Sequence, residues 1–548
     1  MAVRTHNQQL TYYTPEQSDS YLDMIQYGTT TSAGAAGGTT LIDTSADSGG
    51  ADTYNGRYWV TCLSGANKGL SKRVIDDNGS GTLTLENSGF PNQVASGVEY
   101  MLWTSPDPVV VVDSSGSATD VVDAIRDEAD DYWIDYYMCP ITGNRAGEIQ
   151  KITDFTSSTG TFVTDAFTGA LAAGDVCLLI MPIEAGNFDG GVTEEYLARA
   201  MNRVNFAKGD GRVGPRSGSL SFDLPVTASG TLAGADVIAN KSVFHGLLPA
   251  CGYDEVIGKT MTISDVAAST TQIDVATGDH ENVALGMAIQ HNGNVSWVTG
   301  KTDGGGGVDT IDTTLPLPVA PADTELLYAP RMYKKDIDAN NSGVTIVHER
   351  DGYRHTFFGC QGNVEWIEGP VLMAKFTLSW QHYVVEDEPA QFNPGAAYTT
   401  AQQLRQMDKV VNFDTTQADI GGASFTLGAE VAALPTSGRY GINGISGQQV
   451  MRVHGSATFN ELIETTDSLT AEQLWQVRTA KDYQVVYGSH GNCVAFRIPV
   501  GRLVQKPHPQ DQDGLQAAPY VVEAQDAGVL SDPTDGTVKV PDFSVCIF

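Results

Sequence analysis

Basic side chains are scarce: 32 Lys and Arg stand against 66 Asp and Glu in 548 residues, a formal charge of −34. A generic nucleic-acid binder needs a basic surface, and an anionic membrane attracts polybasic segments, so both are poor matches. Long apolar runs are missing as well. The stretch Val176 to Met181 meets Pro182 after six residues, and no span of about 18 apolar residues exists for a membrane helix. The opening Met-Ala-Val-Arg-Thr-His-Asn has no apolar core and does not read as a secretion signal. Cysteines are few (Cys62, Cys139, Cys177, Cys251, Cys360, Cys493 and Cys546) and none forms a Cys-x-x-Cys. They read as buried thiols of a chain made in a reducing cytosol. The sequence has no Gly-x-x-x-x-Gly-Lys-Ser/Thr loop, no Gly-x-Ser-x-Gly elbow and no His-Glu-x-x-His. No catalytic residue, cofactor or metal site is therefore expected.

What is present is a folded, mainly β chain. Hydrophobic residues make up 41% and charged residues 18%, outside the disordered range. A prior of roughly 100–200 residues per domain calls for several domains. Residues 1–40 read as an extended arm. Its Ser32–Gly38 stretch is Gly- and Ala-rich, and Tyr12, Tyr13, Tyr21 and Tyr27 are free to dock on a neighbour or on this chain. Residues 41–108 and 109–187 read as two copies of one small β-module. Tyr58-Trp59-Val60 matches Tyr132-Trp133-Ile134, Gly69–Asp76 matches Gly147–Asp154, and Ala95–Trp103 matches Ala172–Ile180. Short strands punctuated by Gly, Asn, Asp and Ser suit a small barrel or sandwich. A weaker third copy is placed at 262–330.

Residues 193–204 carry apolar positions at helical spacing behind Thr193, which predicts a helix. A second duplication follows. Gly218-Ser219-Leu-Ser-Phe222 is echoed by Gly455-Ser456-Ala-Thr-Phe459, each ahead of a helical candidate, 241–248 in one half and 470–477 in the other. Strands at 373–384, 515–522 and 541–547 are expected to close the two halves. This divides the remainder into domains at 188–395, interrupted by the 262–330 module, and 396–548, joined by an acidic Pro/Gly-bearing linker.

Four patterns invite chemistry. Asp336-Ile-Asp338-Ala-Asn340 opens like a calcium loop, but its twelfth position is Val347. Ser489-His490 are sequence neighbours, not a triad. The acids at 127–131 read as solvated surface, without the aromatic groove of a glycosidase. The hairpin at 344–358 is the most informative. Asp351-Gly352 signals a two-residue turn. Counting outward, Arg350 faces Tyr353, Glu349 faces Arg354 and His348 faces His355. A histidine pair without a third ligand is a poor metal site. A long polar hairpin with an ion pair near its tip suits a contact arm between subunits.

Gly214–Phe222, Val226–Thr231 and Leu247–Gly252, followed by Arg350–Tyr353, Gly359–Val364 and Lys375–Leu378, resemble the major tail tube proteins of long-tailed, non-contractile bacteriophages. The resemblance covers 188–261 and 331–548, in the variant with two tandem tube domains, and leaves 1–187 as decoration. It implies two β-sandwich or barrel domains, each with a short helix. It also implies rings of this chain, three copies giving pseudo-six-fold symmetry, stacked into a tube. Such a tube holds a tape-measure protein, meets terminator and tip proteins, and conducts viral DNA. The implied location is the virion tail. Residues 188–548 hold 24 Lys and Arg and 42 Asp and Glu, a net of 24 − 42 = −18, which suits a bore that DNA does not stick to. The alternative is a tail-tip or host-surface-binding protein.

Overall fold

The computed structural model is mainly β, with 54% strand and 4% helix; among the described residues no helix reaches seven residues, and the sheets curl into half-barrels. The structure describes all residues except 1–8, 17–23, 47–52, 87–88, 106, 116, 198–211, 228–240, 265–268, 306, 336–342, 351, 388–402, 407–408, 415, 418–419, 436–444, 453, 463–474, 477–478, 490–491, 507–509, 513–514 and 533–535. Tyr21, the calcium-like loop, Asp351 and most of the inter-half linker lie outside the described residues.

The chain opens with β1 (Gln9–Pro15). The first module holds β2 (Met24–Thr29), β3 (Thr40–Ile42), β4 (Tyr58–Cys62), β5 (Ser71–Asp77), β6 (Thr82–Leu85) and β7 (Glu99–Thr104), paired in the order β2-β7-β4-β5-β6-β3. The second holds β8 (Val109–Val111), β9 (Ser114–Ser115), β10 (Asp120–Val122), β11 (Tyr137–Pro140), β12 (Gln150–Thr156), β13 (Thr161–Thr164) and β14 (Val176–Ile183). Its order, β8-β14-β11-β12-β13-β10, is the same. Next come β15 (Gly186–Gly190), β16 (Thr193–Leu197), β17 (Arg212–Ser217), β18 (Ser219–Pro225) and β19 (Tyr253–Ile257). A third module follows with β20 (Met261–Thr262), β21 (Gln272–Val275), β22 (Ala288–His291), β23 (Asn294–Thr302), β24 (Asp309–Thr313) and β25 (Leu326–Leu327). It repeats the order once more as β20-β25-β22-β23-β24-β21, with a Gln290–Tyr328 bridge joining β22 to the β25 end.

One positive-φ position recurs in all three modules, in the turn before the last strand. It is Gly97 (φ 83°), Gly174 (φ 87°) and, without glycine, Thr324 (φ 68°). Register corrects one sequence match. Trp59 sits in β4 opposite Trp103 and Arg73, and the residue in that place in the second module is Tyr137, opposite Ile180 and Lys151. Trp133 lies in the turns ahead of β11 and fills the core beside Tyr136. The two Tyr-Trp pairs therefore occupy different places, whereas the blocks led by Gly69 and Gly147 occupy equivalent ones.

The arm reading also changes. β1 is a central strand, paired with β14 on one edge and β27 on the other, β27 being Val344–Arg350, and Tyr12 and Tyr13 are buried by this chain itself. Residues 24–38 belong to the first module. There Gly34 and Gly38 lie so close to the carbonyls of Thr40 and Phe90 that a Cβ would come within 2.0 Å of each oxygen.

The duplicated part continues with β26 (Arg331–Lys335), β28 (Tyr353–Glu368), β29 (Leu372–Ser379), β30 (His382–Asp387), β31 (Lys409–Phe413), β32 (Thr416–Gln417), β33 (Ile420–Thr426), β34 (Glu430–Pro435) and β35 (Ile445–Arg452). It ends with β36 (Ser456–Leu462), β37 (Lys481–Ser489), β38 (Asn492–Leu503), β39 (Gln510–Gln512), β40 (Leu515–Ala524), β41 (Val529–Asp532), β42 (Gly536–Lys539) and β43 (Ser544–Ile547). In the first half the order is β15-β18-β29-β28, with β27 and β30 flanking the start of β28. In the second it is β33-β36-β40-β38, with β37 and β43 flanking β38. Hairpins β16–β17 and β34–β35 occupy the same place in each. Alternation explains the strands: in β18 Leu220, Phe222 and Leu224 point inward while Ser219, Ser221 and Asp223 do not. Each buried large side chain contributes about 1.5–3 kcal/mol.

The expected helices fare poorly. Residues 193–197 form β16, paired with β17, because a hairpin partner satisfies the backbone where the helical stripe had none; the rest of 193–204 is not described. Residues 243–248 form successive turns, and a short 3-10 helix spans Pro249–Cys251. Of the 470–477 candidate only Trp475 and Gln476 are described, and both are helical.

Candidate assembly surface

The two halves meet strand to strand. Beyond its pairing with β27, the same edge of β28 takes β33: Glu365 opposes Thr426, Trp366 opposes Phe425 and Ile367 opposes Ser424. One sheet therefore runs β15-β18-β29-β28-β33-β36-β40, ending on β38 and β39. Its inner face packs Phe222, Trp366, Phe376, Phe425, Phe459 and Phe496 into one core. The motif residues mark equivalent places. Phe222 and Phe459 are fully buried, opposite Phe376 and Tyr520. Ser219 and Ser456 begin the corresponding strands β18 and β36. Gly218 and Gly455 are needed for close approach: a Cβ on Gly218 would lie 2.0 Å from the Gly191 carbonyl oxygen, and one on Gly455 would lie 2.8 Å from Phe543.

The opposite face of the sheet is polar and rich in Ser, Thr and Asn. Its charges include Asp189, Asp223, Glu365 and Glu523 against Lys375 and Arg502. Each of these cations faces acid across the ladder. Lys375 lies between Asp223 and Glu365, and Arg502 opposes Glu523.

The 344–358 hairpin has the counted register, with Arg350 opposite Tyr353, Glu349 opposite Arg354 and His348 opposite His355, and Gly352 takes φ 83° in the turn. It is not a free arm. β1 covers β27, β30 covers β28, and the first module lies over the pair. Glu349 is 1% exposed and Arg354 5%, so the pair expected near solvent is buried; the tip residues Arg350 and Tyr353 remain exposed.

Arg354 is the centre of an ionic joint. Its Nε donates to Glu349 Oε1 at 2.9 Å and its Nη1 to Glu86 Oε1 at 3.0 Å. Lys72 Nζ lies 3.1 Å from Glu386 Oε1, Arg73 Nη2 donates to Asp107 Oδ2 at 2.6 Å, and the Arg73 guanidinium rests over Trp59. Burial, then the Glu86 charge, raises the Glu386 carboxyl above its usual range. Glu86, Lys72 and Arg73 belong to the first module, and Glu349, Arg354 and Glu386 to the duplicated part, so the joint ties one to the other. Sequence reading saw only the Glu349–Arg354 pair, because the remaining partners are 268 or more residues from Arg354 or arrive from another strand.

The histidines part company. His348 Nδ1 contacts Thr11 Oγ1 at 2.9 Å, and the ring stacks on Phe188. Burial, then His355 and Arg350, lowers its pKa to about 4. His355 Nδ1 contacts the Tyr383 hydroxyl at 2.7 Å. Among the described residues, His280, Asp303 and Asp309 in the third module come close enough to share an ion. Asp309 already accepts from the Gly278 and Gly304 amides and pairs with His280, which accounts for it as a loop brace.

Modules one and three dock at corresponding places. Trp59 and Trp103 of the first pack on Phe358 and Val384, from β28 and β30. The third packs on Cys493, Ala495 and Cys546, from β38 and β43. No protein-family model matches the chain, and no curated protein is significantly similar to it.

Proposed function

We propose that this chain is a structural subunit of a viral tail tube of the long-tailed, non-contractile type, built to assemble in stacked rings and to conduct DNA without catalysis. The observation that carries the reading is the doubled unit joined by the β28–β33 seam. A unit that already continues edge to edge into its own repeat is suited to continue into another copy. Three chains would supply six such units. The correspondence of the docked modules fits the same plan, with decoration at regular intervals outside. The self-assembled ring would stack on further rings, enclose a tape-measure protein, meet terminator and tip proteins, and reside in the virion tail after synthesis in the host cytoplasm.

In this reading the polar face lines the bore. Phosphate sticks to basic side chains by releasing counterions, and the two cations named on this face are flanked by acid. Asp223→Lys combined with Glu365→Lys is expected to slow DNA ejection from assembled particles, followed as DNA release over time. Unchanged ejection would remove the bore assignment. The reading as a whole is tested by electron microscopy of the purified chain. Rings or short tubes are expected, and dispersed single particles at high concentration would end it.

A further inference from the structure

We propose that the two ends of the eight-position sheet are complementary, and that β15 of one copy pairs antiparallel with β39 of a second copy in the register of the internal β28–β33 seam. The inference rests on the ring reading and names its contact.

The edges are open on the sides the repeat demands. β15 stands to β18 as β33 stands to β36, yet among the described residues β15 has a partner on one edge only. At the other end β37 leaves β38 at the Lys481–Gly501 pair, and among the described residues β39 pairs with β40 alone. Unpaired edges of this kind template pairing with another chain. β15 carries little bulk at this edge: Asp189 and Gly190 are exposed, and Phe188 turns inward onto His348. Its register shift between Gly186 and Asp189 disfavours indiscriminate pairing.

The repeat also sets the register. Asp189 opposes Ser221 as Ser424 opposes Thr458, one residue before the equivalent phenylalanines Phe222 and Phe459. Gln510 opposes Ala517 as Ile367 opposes Met373; Ala517 faces Leu462, and Met373 faces Pro225, three residues past those same phenylalanines. Ile367 faces Ser424 within the chain. Gln510 of one copy therefore faces Asp189 of the next.

Opposed residues in an antiparallel pair hold their Cβ atoms about 4.5–5.5 Å apart, within reach of a disulfide. The seven native cysteines are all buried. The chain carrying Asp189→Cys and Gln510→Cys, oxidised by copper phenanthroline, is expected to give a ladder of covalent multimers on a non-reducing gel. Either single variant gives none. The chain carrying Ile367→Cys and Ser424→Cys is the geometric control, and its bond stays within one copy. Monomer bands from the Asp189/Gln510 chain, with rings or tubes visible by microscopy, overturn this contact and leave the ring reading standing. A ladder from open filaments keeps the contact and ends the tube reading. Hydrogen exchange on the unmodified chain gives a second measurement. Amides of 189–190 and 510–512 are expected to slow on assembly, and unchanged exchange in assembled particles overturns the contact.

Discussion

Arg354→Met is expected to destabilise the protein by about 3–5 kcal/mol, the usual cost of leaving a buried charge without its partner. The guanidinium is almost fully buried, and its loss strands Glu349 and Glu86 together, with Glu386 close by. Methionine keeps the stem and fills much of the volume, so the loss reports charge more than packing. Because Glu86 lies in the first module, the variant should also loosen that module. Limited proteolysis is expected to cut 24–104 before the duplicated part, and urea unfolding gives the energy. Lys481→Met removes the partly exposed pair with Asp414 and should cost about 0–1 kcal/mol. Equal losses in the two variants would mean the joint is solvated.

Glu16→Gln should make stability less dependent on pH, with a gain above neutrality. Glu16 follows β1 in the interior, and its Oε1 accepts from the Thr345 hydroxyl and the Gly359 amide, each at 2.7 Å. Burial outweighs these hydrogen bonds and raises the carboxyl from 4.5 to about 7. The folded chain then holds a proton that the unfolded chain releases. Stability is full below about pH 4.5, falls as pH rises towards 7, and levels beyond it. The fall amounts to about 3 kcal/mol on the linkage scale. The amide accepts the same two hydrogen bonds without ionising. Urea midpoints of the parent and the variant at pH 5 and pH 8 check this, since other titrating groups are common to both. Parallel shifts in the two proteins would place Glu16 in contact with water.

The hairpin shows where reading along the chain stops. Asp351-Gly352 and the alternation on either side are local signals, and the register followed from them. Its burial did not. Exposure depends on β1, which arrives from more than 300 residues away, and on a module whose acid, Glu86, completes the Arg354 site. The tryptophan match failed for a related reason. Residue identity at one position is weak evidence, whereas Gly97 and Gly174 mark a backbone conformation that Thr324 reaches without glycine. The helix expected at 193–204 gave way at its start because a 3.6-residue stripe needs a surface to bury against, and there a second strand was available.

Composition and period alone determined the mainly β class, two of the three modules with a hint of the third, and the paired Gly-Ser-x-x-Phe strands, because turn chemistry and alternation are written within a few residues. Only the tertiary structure decided that β1 is a central strand, that the hairpin is interior and that β33 continues the sheet of β28. Those depend on which distant edges remain open once each local unit has formed, and an open edge is a property of the assembled sheet.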